Sequence, residues 1–259
     1  MTPQVSSHVV VATANVLYTL RAGSARRALA GVLEQQPDLV ALQEWHLSRW
    51  RLLRESGDVG VVPQPGRRPR PRAQEPATGY LWNSPPVGGC AVGARADRYE
   101  LVWCRSRMLS APGRADHPDR WLGVEPPRVA TVAVYRERAT GRRVSLVDYH
   151  LAPGVQARGR YRVDRPRLVR RHRREVGALE RLVGDRLAAG DMVFAAGDSN
   201  LDGLRIGGLT SAWEGREREP GTLGRRRKID DVHGPGPAES VVLLDSDSDH
   251  KAVVVRRSV

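Results

Sequence analysis

The stretch that decides the fold is residues 37–44, which read Pro-Asp-Leu-Val-Ala-Leu-Gln-Glu. The apolar run from Leu39 to Leu42 predicts a short buried strand, because a run of this length fills the interior of a sheet but is too short for a helix. Pro37 ends the helix that is predicted before it, and Glu44 follows the strand. The stretch therefore predicts a buried strand that ends in a carboxylate.

Apolar segments on both sides predict further strands, separated by amphipathic helices. The predicted strands are residues 9–16, 39–42, 89–95, 99–105, 128–135, 144–149, 192–196, 229–232, 241–244 and 252–255. The predicted helices are residues 24–36, 47–54 and 166–188, and Ser24 is the expected N-cap of the first. Because no linker divides two cores, we expect a single domain over residues 1–259.

Residues 55–87 predict a long exposed loop insertion. They contain seven prolines interleaved with Arg67, Arg68, Arg70 and Arg72, and proline at this density cannot hold a helix or a central strand. The segment is either a solvated insertion or a basic arm that faces the substrate. Residues 106–127 are also expected to be irregular. Cys90 and Cys104, on two strands predicted to pair, are interpreted as free core thiols.

Composition excludes several classes of protein. The chain has 259 residues, of which 40% are hydrophobic, so it can bury a sizeable core. No apolar run approaches the roughly 20 residues of a membrane-spanning helix. The first residues lack the basic and apolar regions of a secretory signal, and two cysteines are too few for a disulfide scaffold. We therefore expect a cytoplasmic globular protein.

The positive charge has two explanations. The formal net charge is +13, and 40 of the 42 basic residues are arginine because only Lys228 and Lys251 are lysines. Such an arginine preference is typical of a GC-rich genome, whereas clustered arginines are typical of nucleic-acid binding. The arginines are densest after His150, at positions 158, 160, 162, 165, 167, 170, 171, 173 and 174.

Polar residues lie at the ends of several predicted strands. Taken singly, each is usually a cap, a turn residue or a solvated side chain. In a layered fold, however, strand ends can converge on one cleft. The residues in question are Asn15, Glu44, His150, Asp198, Asn200, Asp249 and His250.

The order of these residues resembles the endonuclease/exonuclease/phosphatase superfamily. This superfamily includes exonuclease III-type and pancreatic-type deoxyribonucleases, inositol polyphosphate 5-phosphatases and neutral sphingomyelinases. The matching segments are residues 13–17, 37–44, 88–93, 148–152, 197–200, 228–232 and 248–250. Each segment alone is a weak signal, but seven in the expected order make the resemblance specific.

The resemblance implies an α/β fold, a four-layer α-β-β-α sandwich of two packed mixed β-sheets flanked by helices. It also implies a divalent-metal-dependent phosphoesterase. Nucleic acid is the first expected substrate, and a monomer is the expected state. Mg²⁺ is the expected ion, with Mn²⁺ as a substitute, because Mg²⁺ accepts oxygen ligands and needs few from the protein.

The resemblance assigns a role to each matching residue. The metal ligands would be Asn15, Glu44 and Asp249, and the catalytic residues would be His150, Asp198, Asn200, Asp230 and His250. Asp198 would orient or deprotonate the attacking water, and Asp230 would orient His250 and raise its pKa. Arginines near the site could bind substrate phosphate, and the candidates are Arg128, Arg158 and Arg160.

Two departures and two alternatives stay open. Leu17 stands where some repair nucleases carry an aspartate, which implies fewer metal ligands, and Ser199 stands where phenylalanine or leucine is usual. One alternative is a phosphatase or phosphodiesterase that acts on a phosphoinositide, a lipid headgroup or a small phosphorylated metabolite. The other is a catalytically silent nucleic-acid-binding protein.

Overall fold

The computed structural model describes residues 8–61, 79–85, 89–116 and 123–259. The helices are α1 (Ala22–Glu34), α2 (Trp50–Arg54), which follows a 3-10 turn at Leu47–Arg49, and α3 (Pro166–Ala188). The strands are β1 (His8–Asn15), β2 (Leu39–Gln43), β3 (Gly57–Val61), β4 (Tyr80–Ser84), β5 (Ala91–Arg95), β6 (Tyr99–Ser110), β7 (Gly113–Arg114), β8 (Val124–Glu125), β9 (Arg128–Glu137), β10 (Arg143–His150), β11 (Gln156–Ala157), β12 (Arg160–Tyr161), β13 (Met192–Asp198), β14 (Asp230–His233), β15 (Ser240–Leu244) and β16 (Ala252–Ser258).

Most of the strands form two mixed sheets. The larger has seven strands in the order β15-β16-β1-β2-β5-β4-β3, and the smaller has five in the order β14-β13-β10-β9-β6. The β1 and β2 strands are parallel, and so are β10 and β13. Two short hairpins, β7-β8 and β11-β12, lie outside both sheets.

Hydrophobic burial stacks the molecule into four layers. One buried cluster joins the inner faces of the two sheets and includes Val11, Leu146 and Phe194. A second cluster packs α1 on the outer face of the larger sheet, and a third packs α3 on the outer face of the smaller sheet. These are the layers of the predicted α-β-β-α sandwich, with the sheets inside and the helices outside.

The predicted loop over residues 55–87 is wrong at both ends, where β3 and β4 form a parallel pair at the edge of the larger sheet. Tyr80 and Trp82 stack at 5.5 Å and are both buried in the cluster under α1. The prolines of this segment do not prevent the two strands, because none falls within residues 57–61 or 80–84. Burial of the two aromatic side chains stabilises β4 against the larger sheet. The four arginines of this segment lie outside the described residues.

Three other predictions differ from the structure. The β5 and β6 strands do not pair, because β5 joins the larger sheet and β6 the smaller one. The irregular segment begins later than predicted, since β6 continues to Ser110. The first helix begins at Ala22, and Ser24 lies inside it rather than at its N-cap. Cys90 and Cys104 are both buried thiols, as predicted.

Candidate active site

Strand register brings the ends of five strands to one edge of the sandwich. In the larger sheet, Asn15 at the end of β1 is level with Gln43 at the end of β2, and Glu44 follows. In the smaller sheet, His150 is level with Asp198, and Asp198 is level with Asp230 at the start of the antiparallel β14. The edge therefore collects residues from both sheets.

These ends surround a cavity of about 580 Å³. Its floor is polar, and its walls carry apolar and aromatic side chains. The lining residues are Asn15, Tyr18, Glu44, Trp45, His46, Leu47, Pro85, Gly89, Pro126, Pro127, Arg128, His150, Pro153, Asp198, Asn200 and His250. Six of the residues predicted as catalytic or metal-binding line this one cavity, and Asp230 lies behind it in contact with His250.

Asp198 is the centre of the polar floor. The Nδ2 of Asn15 donates to its Oδ2 at 3.0 Å, and the backbone N–H of Asn200 donates to its Oδ1 at 2.7 Å. The side chain is almost fully buried. Burial, followed by the charge of Asp230, raises the pKa of Asp198 to about 7, and the two hydrogen bonds only partly oppose this rise. A carboxylate with such a pKa can accept a proton near neutral pH.

Asp230 and His250 form a buried pair beside Asp198. The Nδ1 of His250 lies 2.8 Å from Oδ2 of Asp230 and 4.0 Å from Oδ2 of Asp198. Burial alone would lower the pKa of His250, but the hydrogen bond and charge of Asp230 outweigh it and raise this pKa to about 9. His250 is therefore cationic at neutral pH, with Nε2 left to donate into the cavity.

A second histidine and an arginine also lie on the floor of the cavity. The Nε2 of His150 lies 3.6 Å from Oδ2 of Asp198. Arg128, at the start of β9, is almost fully buried, and its guanidinium lies 3.6 Å from the buried carboxylate of Glu125. Arg128 therefore enters the cavity from a fixed position, which suits a phosphate clamp.

Asn15 and Glu44 are suited to hold a divalent cation. The Oδ1 of Asn15 is buried and has no hydrogen-bond partner in the described ranges, although its Nδ2 is bound to Asp198. The carboxylate of Glu44 lines the same cavity. An amide oxygen and a carboxylate are ligands that Mg²⁺ prefers. The residues present therefore fit the ion that the resemblance implies.

Two residues of the floor have a left-handed backbone. Glu44 has φ of 56° and Asn200 has φ of 53°. Non-glycine residues rarely adopt this conformation, and the cost is of the order of 1 kcal/mol or more each. Each of the two residues directly follows or lies near the end of a strand that supplies the floor, β2 for Glu44 and β13 for Asn200.

A buried Asp-Asp-His group lies within this floor. The ligand atoms of Asp198, Asp230 and His250 all lie within 4.8 Å of one another, a spacing that could hold a metal ion. The contact between Asp230 and His250 is already a hydrogen bond. The Oδ1 of Asn15, which has no partner in the described ranges, and the carboxylate of Glu44 are therefore better suited to bind a cation.

Besides Asp230, three predicted residues lie outside the cavity lining. The carboxylate of Asp249 is exposed and accepts from the hydroxyl of Ser248 at 3.3 Å. Arg158 and Arg160 are exposed on the β11-β12 hairpin, beside the turn that follows Asp198.

Hydrogen bonds from the β11-β12 hairpin and from α3 hold residues 199–200, the turn that follows Asp198. The Nε2 of His172 lies 2.7 Å from the carbonyl of Ser199, so this nitrogen carries the proton. The Nδ1 of His172 then accepts from the hydroxyl of Tyr161 at 3.1 Å. The Nε2 of Gln156 donates to the carbonyl of Asn200 at 3.1 Å. Sequence reasoning missed these residues, because nothing in their spacing marks a contact with residues 199–200.

A buried polar link joins the two sheets beneath the floor. The hydroxyl of Thr13 donates to Oε1 of Gln43 at 3.2 Å, and Nε2 of Gln43 donates to Oδ1 of Asp148 at 2.6 Å. Thr13 and Gln43 belong to the larger sheet, whereas Asp148 belongs to the smaller one. Burial raises the pKa of Asp148 well above its ordinary value.

The layers, the strand order and the cavity together define the class. The chain has the endonuclease/exonuclease/phosphatase fold. Similar solved structures include D. rerio TDP2 complexed with a single-strand DNA product, which is 17% identical with a TM-score of 0.62 and covers 96% of this chain and 98% of its own. No protein-family model and no curated protein sequence matches the chain.

Two further structures have the same fold. The human Nocturnin catalytic domain with bound sulfate is 19% identical, with a TM-score of 0.63, and the match covers 96% of this chain and 94% of that one. An endonuclease/exonuclease/phosphatase protein from Bacteroides vulgatus is 18% identical, with a TM-score of 0.63 and coverage of 96% and 98%. Among the described residues, no helix is both long enough and apolar enough to cross a membrane.

Proposed function

We propose that this chain is a divalent-cation-dependent phosphoesterase that hydrolyses phosphodiester bonds in nucleic acid. The observation that carries the proposal is the floor around Asp198, where Asn15, Asn200 and the Asp230–His250 pair meet beside Glu44. The presence of a single-strand DNA product in the similar D. rerio TDP2 structure supports nucleic acid as the substrate class.

Asp198 is suited to position the nucleophile. Its two oxygens are fixed by the Asn15 amide and the Asn200 backbone, so a water that donates to the carboxylate is held in one direction. The raised pKa of about 7 lets the carboxylate take a proton from that water as it attacks phosphorus. The amide of Asn200 is anchored by its own donation to the carbonyl of Leu151 at 3.0 Å.

The cationic groups are suited to stabilise the phosphoryl oxygens and the leaving oxygen. His250 donates from Nε2 because Nδ1 is committed to Asp230. Arg128 adds a planar fork of donors. His150, whose Nε2 lies 3.6 Å from Oδ2 of Asp198, is the residue that we assign to protonate the leaving oxygen. A divalent cation held by Asn15 and Glu44 would offset the negative charge of the phosphoryl oxygens.

The exposed arginines favour a polyanion over a small substrate. Arg158 and Arg160 on the hairpin and Arg167, Arg170 and Arg173 on α3 are all exposed, and all follow His150 in the chain. Two other arginines of this segment have structural partners instead. Arg165 donates to the carbonyl of Gly154, and Arg171 donates to the carbonyls of Ala111 and Pro126.

A substrate panel tests the proposal. Plasmid, linear single-stranded DNA, RNA, inositol phosphates and sphingomyelin are each incubated with the protein in Mg²⁺, in Mn²⁺ and in EDTA. We expect cleavage of a nucleic acid in either metal ion and no cleavage in EDTA. Asp198→Ala should abolish the activity, and Asp185→Asn, which changes an exposed carboxylate on α3, is the matched control.

The outcomes separate the alternatives. Phosphate release from an inositol phosphate, with nucleic acid untouched, would move the assignment to a small-molecule phosphatase. Binding of DNA without turnover of any substrate would indicate a silent binding protein. Full activity in EDTA would reject the cation, and full activity of Asp198→Ala would reject the mechanism.

A further inference from the structure

One wall of the cavity carries an exposed aromatic ring. In the part of the chain that the structure describes, Tyr18 is the one tyrosine, tryptophan or phenylalanine that is exposed, with 59% of its surface accessible. Its ring centroid lies 6.2 Å from that of His46, and the adjacent Leu47 is 51% exposed. We call Tyr18, His46 and Leu47 the aromatic wall. All three line the cavity whose floor holds Asp198.

The backbone beneath Tyr18 is held rigidly although its ring is exposed. The buried guanidinium of Arg49 donates to the carbonyls of Val16, Leu17, Tyr18 and Leu20 at 2.8–3.0 Å. The backbone N–H of Tyr18 donates to Oε2 of Glu44 at 2.9 Å. The loop is therefore organised in advance, and it presents an apolar ring to solvent at a fixed distance from the candidate cation ligand.

The cavity is larger than a phosphate group requires. Its 580 Å³ is in the range of sites that hold a complete small ligand. Polar and cationic groups occupy the floor, whereas the aromatic wall and Pro126 and Pro127 supply apolar surface. This division suits a ligand with an anionic part and a planar apolar part. An inositol or sugar phosphate has no planar aromatic ring to stack on Tyr18.

We propose that the aromatic wall is a stacking subsite for the nucleobase of the nucleotide whose phosphate lies on the floor. The inference rests on the proposed function and narrows its substrate class. A base in the interior of a duplex is stacked between its neighbours, so it must leave the helix to reach Tyr18. Single-stranded or frayed ends meet this requirement at lower cost, and base stacking on an aromatic side chain tolerates any sequence.

Matched oligonucleotides test the subsite. Each single strand carries either natural bases throughout or one abasic tetrahydrofuran nucleotide at the 5′ end, the 3′ end or the cleavage position. We expect wild type to cleave the natural strand faster than one of the abasic strands. Tyr18→Ala should lower kcat/KM on the natural strand about tenfold or more, and so remove the preference for a base.

Two control variants separate stacking from a structural defect. Tyr18→Phe retains the ring and should retain the preference for a base. Val163→Ala changes an exposed apolar side chain that does not line the cavity, and it should behave as wild type. An equal slowing of natural and abasic strands by Tyr18→Ala would overturn the subsite, as would a wild type that does not distinguish them.

A binding measurement keeps the subsite distinct from the proposed activity. An oligonucleotide with 2-aminopurine near its end is titrated with the Asp198→Asn variant and with the same variant carrying Tyr18→Ala. Quenching that depends on Tyr18 supports the subsite even when no strand is cleaved, in which case only the proposed activity fails. Binding without Tyr18-dependent quenching would reject the subsite.

Discussion

The two ends of the sandwich carry similar charged residues but use them differently. At the end away from the candidate site, a cleft of about 680 Å³ is lined by Asp38, Arg98 and Glu137. Arg98 pairs with Asp38 at 2.9 Å and with Glu137 at 2.8 Å. At the other end, Asp198 and Asp230 are both buried and lie next to each other. The Oδ1 atoms of Asn15 and Asp230 have no hydrogen-bond partner in the described ranges. At the first end the carboxylates are paired with an arginine, whereas at the second end two buried oxygens are left without a hydrogen-bond partner.

The largest effect on turnover should come from removing the charge of the Asp198 carboxylate. We expect Asp198→Asn to lower kcat at least about a thousandfold, because a positioned general base contributes on this scale. The melting temperature should not fall, since burial already disfavours the ionised carboxylate. Turnover and thermal unfolding are measured on the same preparation. A variant that loses stability in step with activity would show that Asp198 is a structural residue like Asp38.

The opposite result is expected at the end away from the candidate site. Asp38 also accepts from the backbone N–H of Val10 at 2.8 Å. We expect Asp38→Asn to lower the free energy of unfolding by about 3 kcal/mol, because it leaves part of the charge of Arg98 without its buried partner. Urea unfolding measures the loss, and kcat below the transition should stay near that of wild type. A loss of kcat without a loss of stability would break the comparison.

A smaller effect on turnover is expected from weakening the hydrogen bonds that hold residues 199–200, the turn that follows Asp198. Tyr161→Phe removes the donor to His172, and through His172 it loosens the carbonyl of Ser199. We expect kcat to fall about three- to tenfold with KM unchanged, which corresponds to the loss of one ordinary hydrogen bond. Asp185→Asn, which changes an exposed carboxylate elsewhere on α3, is the control. A change in KM alone would mean that Tyr161 contacts substrate.

The smallest effect is a change in how the free energy of unfolding falls at acidic pH. Burial would raise the pKa of Glu137, but hydrogen bonds from Thr140 and Arg98 lower it below the usual 4.5. The ionised carboxylate therefore stabilises the fold above that pH, and this stabilisation is lost as the pH falls through the depressed pKa. We expect Glu137→Gln to show a shallower loss of unfolding free energy below pH 4.5 than wild type does. An equal loss of unfolding free energy with falling pH in wild type and Glu137→Gln would contradict this assignment.

Much of the fold could be predicted from local sequence. The β1, β2, β10 and β13 strands are short apolar runs, and each ends in or before a polar residue of the site. Hydrophobic run length finds such strands without knowledge of their partners. The order of Asn15, Glu44, His150, Asp198 and His250 then identifies the family that they resemble.

The remaining features depend on contacts between distant segments. The β3 and β4 strands lie among prolines and arginines, and only burial of Tyr80 and Trp82 reveals them. The β5 and β6 strands are neighbours in sequence, but pairing with β2 and β9 separates them. The contact of His172 with Ser199 depends on the rotation of α3 against the smaller sheet. Local propensity contains none of this information.

The hydrogen bonds from Thr13 through Gln43 to Asp148 join the two sheets, so they bear on how activity is lost during denaturation. Each sheet supplies only part of the floor, so a small slide of one sheet over the other would separate Asn15 from Asp198 without breaking a strand. Turnover would then report on the docking of the two sheets, whereas circular dichroism would report on the sheets themselves. During gradual denaturation, turnover should therefore fall at a lower denaturant concentration than the circular dichroism signal.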